Sequence, residues 1–125
     1  MSNELGIALR PQPIETSTGV RVEVDGVDDA CTVLVEAWAH QGPPKAAQRH
    51  KVLADAFKLS WIASTLPARP RLILCFSDEV AAKPFQTGRS WAAAALRDQR
   101  IEVLVAELPD ATRAGIVQAQ RRQYR

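Results

Sequence analysis

The chain has 125 residues, 46% hydrophobic and 24% charged, with a formal net charge of +2. That length sets one domain, 1–125, with a core large enough to stand without staples, and the composition excludes a disordered or fibrous chain. The near-neutral balance gives no bulk signal of a nucleic-acid binder, and no apolar run approaches the roughly 18 residues of a membrane span.

Cys31 and Cys75 both sit in apolar runs. They read as buried thiols of a reducing compartment, since two cysteines make no disulfide framework. The start, MSNELGIALRPQP, holds an early acid and no long apolar stretch, so it does not read as a secretory signal. The expected location is cytoplasmic, without a membrane partner.

Residues 1–13 read as disordered or as an edge strand. Leu5 to Leu9 is apolar, and Pro11 and Pro13 lack the donors a ladder needs, so pairing should end there. After a turn at Gly19, Val20, Val22 and Val24 alternate with Arg21, Glu23 and Asp25, the period of a half-buried strand. Gly26 to Ala30 has turn chemistry. Cys31 to Ala39 is apolar on both faces except at Thr32 and Glu36, which predicts a central strand covered on both sides. The short connection makes these two strands an antiparallel hairpin.

Gly42-Pro43-Pro44 breaks the pattern. A helix is predicted from Lys45 to Thr65, with Val52, Leu53, Ala56, Phe57, Leu59, Trp61, Ile62 and Leu66 on a broad apolar face. Pro67 ends it. Leu72 to Phe76 reads as a buried strand reached by a crossover. Pro84 to Gly88 is expected to be loop. Ser90 caps a helix from Trp91 to Gln99. Ile101 to Leu108 is a last strand, and Asp110 caps a terminal helix from Ala111 to near Tyr124. The order predicts an α/β domain: a mixed sheet of about five strands, first an antiparallel hairpin or meander, then helix-strand crossovers, flanked by helices.

The chemistry gathers on the hairpin. Asp25 ends its first strand and Glu36 lies in the second. A pair of carboxylates suits Mg²⁺, which takes one or two of them with waters and substrate phosphates, and such an ion can activate water against a phosphodiester. The plainer alternative for Asp25 is an exposed acid on a polar strand face. For Glu36, inside VLVEAWA, it is a buried ion pair with a Lys or Arg. Gly-rich phosphate loops, a GxSxG elbow and zinc spacings around His40 and His50 are all missing. His40 reads as structural and His50 as part of a solvated helix face. Arg113, Arg121, Arg122 and Arg125 on the last helix could touch phosphates, or could lie on a solvated or frayed end. Trp38, Trp61 and Trp91 sit in apolar runs and read as core or interface residues.

The hairpin with Asp25, then Glu36, then a covering helix resembles the core of the restriction-endonuclease-like, PD-(D/E)xK, superfamily over about Val20 to Phe76. The resemblance implies that Asp25 and Glu36 bind Mg²⁺ and that a lysine two residues after the second acid orients or activates the attacking water. That position is Trp38, which has no ammonium to offer. Lys45 or Lys51 could reach in from the helix, and Gln48 shares a helix face with Lys45. Glu15 could stand in for the acid of an N-terminal helix that is missing or shortened. Two functions follow from the resemblance. One is a metal-dependent nuclease acting on DNA or RNA phosphodiesters. The other is a non-catalytic nucleic-acid-binding or protein-assembly module, as a homodimer or within a larger assembly. A small α/β interaction protein unrelated to nucleases is the third reading.

Overall fold

The computed structural model describes residues 10–106. Within them lie five strands, β1 (Arg10–Glu15), β2 (Arg21–Val27), β3 (Val33–Trp38), β4 (Arg71–Phe76) and β5 (Ile101–Val105), and three helices, α1 (Ala46–Thr65), α2 (Glu79–Gln86) and α3 (Trp91–Asp98). The strands form one mixed sheet in the order β1-β2-β3-β4-β5. The first two pairings are antiparallel and the last two parallel. The α/β reading with a five-strand mixed sheet is therefore correct. The terminal helix expected from Ala111, the strand residues after Ala106 and the apolar run Leu5 to Leu9 lie outside the described residues.

β3 is the middle strand, and all six of its residues are buried. Its apolar composition on both faces follows from that place. Leu34, Trp38, Leu72, Leu74 and Phe76 line one face and pack with Val52, Ala56, Leu59 and Ile62 of α1, Ala81, Ala82 and Phe85 of α2, and Leu96 of α3. The other face carries a second buried cluster of Val33, Val35, Ile73, Cys75 and Ala106. Both crossovers, β3-α1-β4 and β4-α2-α3-β5, step the same way across the sheet, and a single hand of connection puts their helices on one face.

Two proline readings are corrected. Pro11 and Pro13 do not end pairing; they lie within β1, which runs antiparallel to β2 from Arg10↔Val27 to Glu15↔Arg21. They stand two apart on an edge strand, so both missing N–H groups fall on the side away from β2. Pro84 lies inside α2, where a loop was expected. Asp78 starts that helix by accepting from Ala81 N at 3.2 Å. Phe85 then stacks on Phe76 with ring centroids 5.6 Å apart. Burial of Ala81, Ala82 and Phe85 outweighs the one backbone bond that the proline removes.

The hairpin loop is held by Asp28. Its carboxylate accepts from Thr32 N at 2.6 Å, from Val33 N at 2.9 Å and from the Thr32 hydroxyl. Burial pushes this carboxyl up, but those three hydrogen bonds outweigh it and hold Asp28 below its ordinary value. Cys31, in the same loop, takes a positive φ of 57°. Neither cysteine is in a disulfide; Cys75 is buried and Cys31 only half-buried, a partial correction of the expectation for the pair.

Candidate functional site: a carboxylate cluster under the long helix

The hairpin pairs at Gly26↔Val35 and Val27↔Leu34 and then its strands part. Asp25 stands where the next pair would be. Its carboxylate accepts from Ala37 N at 3.0 Å, taking a donor that a longer ladder would have used. A register shift puts it there. Between Arg10 and Gln12 of β1 the chain advances two residues, while β2 advances three, from Val24 to Val27. The extra residue is a bulge, which re-aims side chains. Strict alternation sets Asp25 opposite to Val22 and Val24; with the bulge, Val24, Val27 and the Asp25 carboxyl all meet the helix-covered side.

Glu36 reaches the same side from β3 and is only 2% exposed. It hydrogen-bonds with Asp25. From above, α1 delivers Lys58, whose Nζ lies against Glu36 Oε1 and donates to the Glu23 carbonyl at 3.0 Å. Asp55 lies one turn earlier on α1, where Lys51 and Lys58 both favour its charge. The Trp38 indole also favours the ionised Asp55, although its Nε1 is buried without a well-formed hydrogen bond. Glu36 Oε1 likewise has no regular hydrogen bond beyond the Lys58 contact.

Glu36 and Asp55 are both held in little water, so neither carboxyl ionises freely. Burial pushes Glu36 up to about 9; Asp25 adds to this by hydrogen bonding and repulsion, Asp55 adds repulsion, and Lys58 opposes it. Burial also lifts Asp55 to about 6, with Asp25 pushing the same way and Lys58, Lys51 and Trp38 pulling back. The cluster is thus short of positive charge. Such a deficit, in which one carboxyl keeps a proton for want of a cation, is a feature of functional sites as well as of structural networks.

The residues named from the sequence divide plainly. Asp25 and Glu36 come together. Lys51 faces Asp55 at the margin of the cluster. Lys45 does not enter it: the residue is exposed at the N-terminal cap of α1, and its backbone N–H donates to Gln48 Oε1 at 2.8 Å. Gln48 does not enter either. Its Oε1 closes that cap and its Nε2 lies 3.1 Å from His40 Nδ1. Both were expected to reach the carboxylates from α1, but the helix starts there: Gln48 answers one of its open donors and Lys45 stays at the exposed cap. Glu15 is exposed on β1. Arg113, Arg121, Arg122 and Arg125 lie outside the described residues.

Asp55 and Lys58 went unnoticed in the sequence, and a signal for them existed. Val52, Ala56, Leu59, Ile62 and Ala63 form the buried stripe of α1. Asp55 falls three after Val52 and four before Leu59, inside that stripe. An acid there demands a partner, and Lys51 and Lys58 are its neighbours at helical spacing.

Asp25 and Glu36 are the carboxyls here whose oxygens could serve a hard divalent cation. Among the described residues no group of three or more His, Cys, Asp or Glu converges to cage an ion. The protein would give two carboxylates and leave other positions to water and substrate oxygens, as Mg²⁺ sites do. Compared with protein-family models, curated proteins and solved structures, the chain matches none of them.

Proposed function

We propose that this chain is a restriction-endonuclease-like domain that hydrolyses nucleic-acid phosphodiesters, with Asp25 and Glu36 as ligands of Mg²⁺ and Lys58 in place of the lysine whose motif position Trp38 occupies. One observation carries the reading: α1 sets the Lys58 ammonium on Glu36, so the group missing from β3 arrives from the helix above it. The shared Asp25–Glu36 pair, the bulge that aims Asp25 and the parallel strand that follows α1 support it too. When bound, Mg²⁺ supplies positive charge to the phosphate oxygens and acidifies a bound water. Asp25 holds its orientation through Ala37 N, Lys58 is steadied by the Glu23 carbonyl, and Asp55 tethers the Lys58 side of the helix electrostatically.

The test is cleavage of single- and double-stranded DNA and of RNA with Mg²⁺ or Mn²⁺. Lys58→Met and Glu36→Gln should each lower the rate by about 100-fold or more, the usual effect of removing a group that acts on developing charge. Lys45→Ala should stay within a few-fold. Cleavage that survives Glu36→Gln in purified protein would overturn the assignment.

A second reading rests on the depth of Glu36. At 2% exposure, with the 24%-exposed Lys58 upon it, the cluster also suits a structural ion pair in a non-catalytic binding or assembly module. That reading expects no cleavage with any of these substrates, and loss of stability in Lys58→Met.

A further inference from the structure

At the opposite end of β4 from Phe76, an open cleft of about 590 Å³ is lined by Arg69, Arg71, Arg97 and Arg100, with Ile101 and Glu102. Four guanidinium groups face one carboxylate. Glu102 is taken by Arg71, which holds it in a fork with Nε–Oε2 at 2.5 Å and Nη2–Oε1 at 2.7 Å. Arg69 is anchored through Nη2 to the Gln99 carbonyl. Arg97 and Arg100 are exposed, and among the described residues no carboxylate pairs with either. Arg71 lies next to Leu72, which faces the helices, so it belongs to the Ile73 face and is no wall of the carboxylate cluster.

Arg100 adds an independent observation. It follows the C-cap of α3 with φ 57°, in the left-handed region that a glycine or asparagine occupies at less cost. An arginine there is a poor choice for the turn and a good one for a cationic surface.

We propose that this cleft docks the phosphodiester backbone of a nucleic acid. Arginine forks match phosphate oxygens in pairs; among the described residues Arg97 and Arg100 face no carboxylate, and Arg69 is pre-positioned by its own hydrogen bond. The cleft is broad and shallow in character, open to a chain rather than closed around a small anion. Choosing nucleic acid over an acidic protein rests on the function proposed above; the cationic cleft itself does not.

The experiment is fluorescence anisotropy of labelled DNA and RNA oligonucleotides on the full chain, in EDTA, across a salt series. The variants are Arg97→Ala, Arg100→Gly and the two combined. The double variant should bind about tenfold or more weakly at low salt, with a salt slope shallower by about 1 for each arginine removed from a phosphate. Arg100→Gly should melt no lower than the parent, which separates weakened binding from failed folding. Unchanged affinity and slope in the double variant would overturn the proposal, and so would equal binding of labelled polyglutamate. The two readings fail separately: arginine-dependent binding without cleavage keeps the cleft and removes the nuclease, and Glu36-dependent cleavage with binding indifferent to the arginines does the reverse.

Discussion

Replacing Glu36 by glutamine should make the domain more stable at neutral and alkaline pH. In the fold this carboxyl keeps its proton up to about pH 9, because it is buried and because Asp25 bonds to it and repels its charge; Lys58 offsets this only in part. In the unfolded chain the same group ionises near its ordinary 4.5. Between those values the native state binds more protons than the unfolded state. Stability is therefore fully present below pH 4.5, declines as pH rises and levels off above about 9. One pH unit in that window corresponds to about 1.4 kcal/mol. The three units up to pH 7.5 give an upper figure of about 4 kcal/mol by the same conversion. Glutamine keeps the shape and does not titrate, so the expected gain at pH 7.5 is roughly 2–4 kcal/mol, shrinking toward zero near pH 4.5. At about 4 °C per kcal/mol for a domain of this size, Tm should rise by roughly 8–16 °C. The assay is thermal and urea unfolding of both proteins in EDTA, followed by circular dichroism from pH 5 to 9. Asp55, lifted to about 6, leaves both with a shared slope below that pH. If the glutamine variant is less stable at pH 8, or its stability follows pH as the parent's does, then Glu36 is ionised in the fold and the reasoning fails.

Other sites give independent checks. Asp28→Ala removes the acceptor of three hydrogen bonds and should cost about 2–3 kcal/mol in urea unfolding at pH 7. Because Asp28 is held below its ordinary 3.8, its contribution is present above that pH and lost as pH falls further, so the variant and parent should converge in acid. Gly88→Ala would set a Cβ 2.5 Å from the Pro84 carbonyl oxygen, a backbone clash worth about 1–3 kcal/mol of destabilisation by calorimetry. Phe85→Ala removes the ring stacked on Phe76 and should cost about 3–5 kcal/mol, read as a lower urea midpoint with an unchanged slope.

The elements legible in the sequence were those whose signal is local. The apolar run through Glu36 marked the central strand, the alternation from Val20 marked its hairpin partner, and Gly42-Pro43-Pro44 bounded α1 on one side. What escaped depended on neighbours distant in the chain. Pro11 and Pro13 are tolerated only because β1 has a partner on one side. Pro84 is tolerated only because Phe76 waits for Phe85. In the site, Asp25 and Glu36 were found because hairpin geometry is short-range. Lys45 and Gln48 do not join them, because Lys45 is exposed at the N-terminal cap of α1 and Gln48 closes it. Lys58 needed the rotational phase of the helix over the sheet, which the interrupted stripe at Asp55 records and which apolar periodicity alone does not.

The prolines of β1 also limit how copies of the chain can associate. A strand at the border of a sheet is a template on which a second molecule can continue the hydrogen-bonding, the first step of both sheet-extended dimers and fibrils. Among the described residues β1 pairs with β2 alone, and on its other side Pro11 and Pro13 leave carbonyls but no amide at two alternate positions. Two of the amides that growth from that border would use are absent from the backbone itself, whatever side chains surround it.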